Sequence, residues 1–224
     1  MLALVSLGQK PLVSDLLTIG VVQYFGRPRG DRDAVWESRM LDVATDLDPR
    51  NFHAWYITSH LMSFTPEEIT ASVQVLANGI VKNPTEWRIP FWLSLKYYGQ
   101  GNYAQAQHYA EIAAGYPDAP RHVQRFPSFL YQKAGDVETA IEYLKTLYES
   151  AATPDEKDFI LKRIGWIEAR DRLQRAVNAY RERFQTLPLK WDDLVTAGVL
   201  SRIPGDPFER GFRIKPSTGE VESK

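Results

Sequence analysis

The chain has 224 residues, of which 44% are hydrophobic and 25% charged, with 27 basic against 28 acidic side chains. This balance excludes a disordered chain and indicates one large domain, or one domain with a small appendage. Cysteine is missing, which excludes disulfide scaffolds, zinc fingers and thiol catalysis and suits an oxidising compartment. The net charge of −1 argues against a generic nucleic-acid-binding protein, which needs excess Lys and Arg.

The most apolar stretch of the sequence runs from Met1 to Phe25. Lys10, Pro11 and Asp15 interrupt it, so no run reaches the roughly 18–20 uncharged residues of a membrane-spanning helix. It also lacks the basic start of a signal peptide. We therefore expect this stretch to pack against the protein, and whether an anchor preceded it is left open.

From about residue 18 to residue 154 the sequence repeats with a period of 34 residues. Units 87–120 and 121–154 match best, unit 53–86 matches more loosely, and residues from about 18 to 52 form a divergent copy with an expanded loop at 26–31. The best-matching pairs are Tyr97 and Tyr131, Gly101 and Gly135, Asn102 and Asp136, and Ala106 and Ala140. Small residues at fixed spacing, such as Ser72 and Gly79, mark places where paired helices approach closely, and a proline near each unit's end stops the second helix.

This pattern resembles the tetratricopeptide repeat (TPR), in which two-helix units stack on one another. The resemblance implies an all-α fold, namely a right-handed TPR superhelix of antiparallel helix hairpins over residues 1–154, with the first helix of each unit on a concave face. A bundle of unrelated helical hairpins is the alternative.

Residues 155–184 carry apolar side chains at intervals of three and four, with charges on the other faces, which predicts a capping helix. A short helix is predicted after Pro188, closed by Gly198. The alternating segment 212–215 and the segment 220–222 then predict a β-hairpin tail. A hairpin of this size is not stable alone, so we expect it to dock on the cap.

The order of landmarks in this tail resembles the globular part of type II secretion pseudopilins and type IV pilins. The matching residues are Tyr180, Pro188, Leu194, Gly198, Leu200, Pro204, Asp206, Pro207, Phe208, Phe212, Gly219, Val221 and Ser223. The chain departs from those families by lacking their hydrophobic N-terminal helix and by having Glu209 where glycine is usual. The resemblance therefore implies a pseudopilin-like module at 155–224, not a pilin subunit. It also implies a bacterial cell envelope setting (pilus, secretion or associated transporter), membrane-associated or periplasmic, with a cytoplasmic one still open. A purely structural plug is the alternative reading of this module.

The TPR resemblance also assigns a groove to the concave face. Its expected residues are Ile57, Leu61, Phe64, Arg88, Phe91, Leu95, Tyr98, His122, Arg125, Phe129 and Gln132. We predict that this apolar and aromatic groove captures a peptide or helical segment of a protein partner, with Arg88 and Arg125 selecting acidic flanks. The Lys and Asn residues of the carboxylate-binding TPR proteins are missing, so that function is not implied. A groove filled by the chain itself is the alternative.

Motifs that would indicate an enzyme are missing from the sequence. No phosphate-binding loop, zinc-protease or serine-hydrolase motif occurs, and Asp192 and Asp193 point apart on a helix. His53 and His60 have no acidic partner at helical spacing, so we predict no metal site. We therefore predict a non-enzymatic scaffold with no catalytic residue, cofactor, nucleic-acid partner or small-molecule substrate, in a possible membrane-associated complex. The alternatives are a self-occluded subunit that binds through its convex face or tail and, less favoured, an enzyme with an unrecognised site.

Overall fold

The structure is a computed structural model that describes residues 8–224. In this range the chain is mostly helical, which confirms the predicted helical character, and it ends in a small two-stranded antiparallel sheet. The start of the predicted apolar stretch, residues 1–7, lies outside the described residues. The chain divides into two compact units between Leu130 and Tyr131. The superhelix and the predicted repeat boundaries, including the one after Pro154, stay predictions.

The first unit consists of helical hairpins. Its elements are α1 (Lys10–Phe25), a 3-10 turn (Arg29–Asp31), α2 (Ala34–Leu47), α3 (Phe52–His60), α4 (Pro66–Lys82), α5 (Arg88–Gly99), α6 (Tyr103–Ala114) and most of α7 (Arg121–Lys133). The second unit contains the end of α7, then α8 (Val137–Ser150), α9 (Pro154–Phe184), α10 (Trp191–Thr196), β1 (Phe212–Ile214) and β2 (Val221–Ser223).

Side-chain caps explain where many of these helices begin. The capping side chain accepts a hydrogen bond from a backbone N–H of the first turn, which would otherwise lack a partner. The residues that do so are Asp33, Asn51, Thr65, Asn102, Asp136 and Thr153. The repeated glycines Gly101 and Gly135 have φ of +73° and +86°, so each turn between paired helices uses a conformation that glycine adopts at little cost.

The small residues of the repeat pattern lie at close contacts between helices. Ser94, which is fully buried, donates from its hydroxyl to the carbonyl oxygen of Ala106 at 2.6 Å. Gly79 lies so close to the indole of Trp55 that an added Cβ would stand 2.5 Å from Cζ3. These positions therefore have a packing reason to be small, because a larger side chain would separate the helices.

Helix α1 turns polar residues inward and leucines outward. Ser14 and Thr18 are buried, whereas Leu12, Leu16 and Ile19 are each more than half exposed. The Asn51 amide donates to the Ser14 hydroxyl at 2.8 Å and to the Thr18 hydroxyl at 3.3 Å. Ser14 in turn donates to the carbonyl oxygen of Ala44 at 2.8 Å. The helix is thus held by a buried hydrogen-bond network in addition to apolar contacts.

The β-hairpin of the second unit docks on α9, as its small size requires. Gln174 accepts from the Val221 N–H at 2.8 Å and donates to the Gly219 carbonyl at 3.1 Å. Arg170 donates to the Val221 carbonyl at 2.9 Å. Val221 and Phe212 also enter the apolar core that α9 and α10 form. The helix therefore satisfies the outer edge of β2 as well as burying one face of the hairpin.

The loop before β1 is closed by Asp206, whose carboxylate accepts from the N–H groups of Phe208 and Gly211, both at 2.9 Å. Within this loop Glu209 has a φ of +59°. This left-handed conformation favours glycine, so a glutamate adopts it at some cost.

Candidate binding site

The structure places the predicted groove residues in different surroundings. Ile57 does not face an open groove: it is 5% exposed and belongs to a core cluster with Val21 and Leu41. Leu61 packs, partly buried, against the same cluster. These two side chains stabilise the first unit and offer a partner little surface.

Phe91, Tyr98 and Phe129 pack within one half-buried aromatic cluster that joins α5 to α7. The ring centroids of Phe91 and Phe126 are 5.4 Å apart, and those of Tyr98 and Phe129 are 5.5 Å apart. His122 is exposed and lies edge-on to Phe91 at 6.3 Å. Most of this aromatic surface is therefore used for packing α5 against α7.

The remaining groove residues are dispersed. Arg125 donates from Nε to the Arg121 carbonyl oxygen at 3.0 Å. In the second unit the Gln132 amide oxygen accepts from Arg163 at 3.1 Å. Phe64 is 56% exposed beneath the Arg29 guanidinium, which lies 4.4 Å from the ring centroid.

An aromatic surface lies beside Leu95 and Arg88, and we call it the aromatic ledge. Phe52, Tyr56 and His60 on α3 are its exposed residues, and Trp92 on α5, which is only 9% exposed, packs against them. The rings of Tyr56 and His60 stack at 4.2 Å, and Trp92 lies 5.9 Å from Phe52 and 5.8 Å from His60. Phe52 and Tyr56 are 44% and 45% exposed. Aromatic side chains of this kind bury a large area at low entropic cost when a partner covers them.

Arg88 adds a cation to one end of the aromatic ledge. Its guanidinium lies 5.6 Å from the Phe52 ring and 4.8 Å from the Trp87 ring, and it pairs with Glu86 at 2.8 Å. The repeat register did not point to the residues of the ledge. The spacing of Phe52, Tyr56 and His60 was the available signal, because aromatic residues four apart form one stripe on a helix.

A pocket of about 370 Å³ opens where the aromatic ledge meets α5. Its lining includes Ser59, His60, Ser63, Trp92, Leu95 and Lys96. Of these, only Leu95, which is 38% exposed, was a predicted groove residue. His60 Nδ1 lies 2.5 Å from the Ser59 hydroxyl oxygen. The Ser59 hydroxyl is also within hydrogen-bonding distance of the Tyr56 carbonyl oxygen, at 2.8 Å.

Lys96 is the buried charge of this pocket, with only 8% of the residue exposed. Its ammonium donates to the Met62 carbonyl oxygen at 2.7 Å and to the Ser63 hydroxyl. Burial lowers the pKa of Lys96 to about 8, and the nearby negative charge of Glu68 opposes the shift. Among residues 8–224, no carboxylate oxygen lies within 4.0 Å of this ammonium.

Glu68 is held by a buried ion cluster behind the pocket. Arg32 bonds Glu37 through Nε at 2.8 Å and Glu68 through Nη2 at 2.7 Å, and all three side chains are at most 7% exposed. The second oxygen of Glu68 accepts from the N–H groups of Phe64 and Thr65 at 2.9 and 3.2 Å. The cluster therefore holds the start of α4 in place against α2 and against the loop that precedes α2.

The low pKa of Lys96 predicts a rise of stability on the alkaline side. Between pH 8 and 10.5 the folded protein has lost this proton while the unfolded chain still binds it, so the free energy of unfolding increases with pH. Relative to Lys96→Met, the native chain should gain on the order of 1–2 kcal/mol across this range, with allowance for solvent screening. Urea unfolding of both proteins at several pH values measures the difference, and parallel pH profiles would contradict it.

No family model matches the chain, and no curated protein or solved structure matches it either. None of the helices in the described range is both long enough and apolar enough to cross a membrane. Within residues 8–224, no group of three or more His, Asp or Glu side chains comes together to hold a metal ion.

Proposed function

We propose that the protein is a non-enzymatic interaction scaffold whose first unit binds a segment of a protein partner on the aromatic ledge. The observation that carries the proposal is the stripe of Phe52 and Tyr56, each nearly half exposed, with Phe52 packed against the buried ring of Trp92. Aromatic residues and arginine contribute most of the energy at protein interfaces, and Arg88 stands at one end of this stripe.

The proposed partner segment is apolar or aromatic with acidic flanks. An apolar side chain of the partner would cover Phe52 and Tyr56, and a neighbouring carboxylate would approach Arg88, whose side chain is 41% exposed. Because Phe91, Tyr98 and Phe129 already pack within their own cluster, the proposal assigns the principal contact to the ledge and Leu95 instead.

A bacterial envelope setting is a further part of the proposal and has a separate basis. It is supported by the order of landmarks from Tyr180 to Ser223 that resembles pseudopilins. In such a setting the second unit would join an envelope assembly while the first unit holds the partner segment.

The experiment replaces one aromatic side chain in each unit. A photoreactive residue at position 56 is cross-linked in the native host, and the partner identified in this way is purified and titrated against the variants. We expect Phe52→Ala to weaken binding at least tenfold, as truncation of an interface anchor does. Phe184→Ala is the matched control, because Phe184 is 43% exposed but lies at the end of α9.

The control also separates the main alternative from the proposal. If Phe184→Ala weakens binding and Phe52→Ala does not, the partner binds through the tail and the ledge is rejected. If both variants bind as the native chain does, neither surface is the interface.

A further inference from the structure

We propose that the pocket beside Lys96 binds the carboxylate of an acidic residue that is next to an aromatic residue in the bound segment. This inference rests on the proposed function and specifies the ligand of the same site. It is carried by the position of one buried ammonium and by the groups that surround it.

The Lys96 ammonium has a hydrogen-bonding position left for a ligand. An ammonium carries three N–H donors. Two are used by neutral oxygens, those of Met62 and Ser63, and the described residues offer no third acceptor to it. Since Lys96 lines the pocket, the third donor is available to a group that enters from the pocket.

Among residues 8–224, no direct ion pair balances the charge of Lys96. Glu68 is the carboxylate that raises the pKa of Lys96. One of its oxygens is bonded to Arg32 and the other to the N–H groups of Phe64 and Thr65. A buried charge without a partner is costly, and a charge-assisted hydrogen bond to a carboxylate reverses part of that cost. An anionic group therefore fits this place better than a neutral one.

The remaining walls explain why an aromatic neighbour is expected. Trp92 and Leu95 form apolar lining, while Ser59 and His60 provide polar atoms. A pocket of about 370 Å³ is in the range of small-ligand sites, so a Glu or Asp side chain fits within it. His60 belongs both to the pocket and to the ledge, and its ring stacks on that of Tyr56. The aromatic side chain next to the bound acidic residue would therefore lie on the ledge.

The test compares blocked dipeptides that differ in one charge. Acetyl-Glu-Phe-amide and acetyl-Gln-Phe-amide are titrated into the full chain, and binding is followed by NMR chemical shifts and calorimetry. The native chain should prefer the glutamate peptide about tenfold, the gain expected for one charge-assisted hydrogen bond. Free 3-phenylpropanoate forms a separate arm. If it binds beside Lys96 and the glutamate peptide does not, the carboxylate comes from a small acid and the peptide proposal is overturned.

The variants distinguish this inference from the proposed function. Lys96→Met should remove the preference for glutamate and should weaken the glutamate peptide much more than the glutamine peptide. Phe52→Ala should weaken both peptides equally. Lys10→Met, an exposed lysine outside the pocket, should change neither. Equal binding of both peptides to the native chain, or a preference that persists in Lys96→Met, overturns the carboxylate site. Failure of Phe52→Ala to weaken either peptide overturns the ledge instead.

A pH series on the native chain provides evidence that does not depend on the folding of a variant. The preference for glutamate, about tenfold at pH 7, should be largely lost above pH 8 as Lys96 loses its proton. His60 also lines the pocket, so the series is repeated with His60→Gln; the charged groups behind the pocket are Glu68 and its partner Arg32. A preference that stays constant from pH 7 to 10 overturns the proposal.

Discussion

Replacing Arg32 with methionine is expected to lower the free energy of unfolding of the first unit by about 3–5 kcal/mol, because it leaves two buried carboxylates without their common cation. Glu37 is fully buried and the Glu68 side chain is 6% exposed, so water cannot solvate either charge in the folded protein. Arg32 also packs over the Phe25 ring at 4.0 Å, and methionine retains part of that apolar contact. The loss is therefore mainly electrostatic.

Hydrogen exchange of the α2 and α4 amides during urea titration measures this loss in the first unit. Arg29→Met is the matched control, because Arg29 belongs to the same loop and its guanidinium lies over the exposed ring of Phe64. It should change stability by no more than about 0.5 kcal/mol. In the double variant Arg32→Met with Glu37→Gln, the combined loss should be smaller than the sum of the single losses. A loss below about 1 kcal/mol for Arg32→Met would contradict the importance of the cluster.

Gly79→Ala is expected to destabilise the first unit by about 2–3 kcal/mol, although alanine is the better helix former. The added Cβ would lie 2.5 and 2.7 Å from two ring carbons of Trp55 and 3.1 Å from Ile89. Trp55 cannot move aside easily, because it is 1% exposed and its indole N–H donates to the Pro49 carbonyl at 2.8 Å. The contact is therefore relieved only by separating α4 from α3 and α5.

Gly20→Ala is the matched control for this change. Gly20 also lies inside a helix, but no atom is within 4 Å of its added Cβ, so the substitution should stabilise by about 0.5–1 kcal/mol. Thermal and urea unfolding measure both variants. Trp55→Phe removes the ring carbons that clash, so Gly79→Ala should cost less in that background. Stabilisation by Gly79→Ala in the native background would show that helix propensity outweighs packing at this position.

Local signals predicted the elements of the fold well. The recurring glycines at 101 and 135 and the capping residues at 102 and 136 marked the starts of α6 and α8, because turn and cap chemistry is decided within a few residues. The hairpin from Phe212 to Ser223 was also visible as alternation around a turn. The sequence did not show which side of α1 is buried. That side includes Ser14 and Thr18, and their hydrogen-bond partner Asn51 is distant in sequence.

The candidate site was less predictable because it depends on burial and not on residue type. Ile57 and Phe64 look alike in an apolar repeat pattern, yet one is 5% and the other 56% exposed. From its residue type Lys96 is expected at the surface. Its burial depends on the fold, which brings Met62 and Ser63 into contact with its ammonium. The residues that meet in the pocket come from three helices and a turn, so no single window of sequence contains them.

The network between Ser14, Thr18 and Asn51 has a consequence for how α1 can pair with its neighbours. Apolar side chains tolerate sliding, because one leucine replaces another after a displacement of about one helical turn, roughly 5.4 Å. Hydrogen bonds are directional and fail within a fraction of that distance. Asn51 also accepts from the Ala54 N–H at 3.1 Å, so the same amide that caps α3 fixes the axial position of α1. The buried polar side chains of α1 thus select one axial alignment of the helix among several that the hydrophobic effect alone would leave nearly equal in energy.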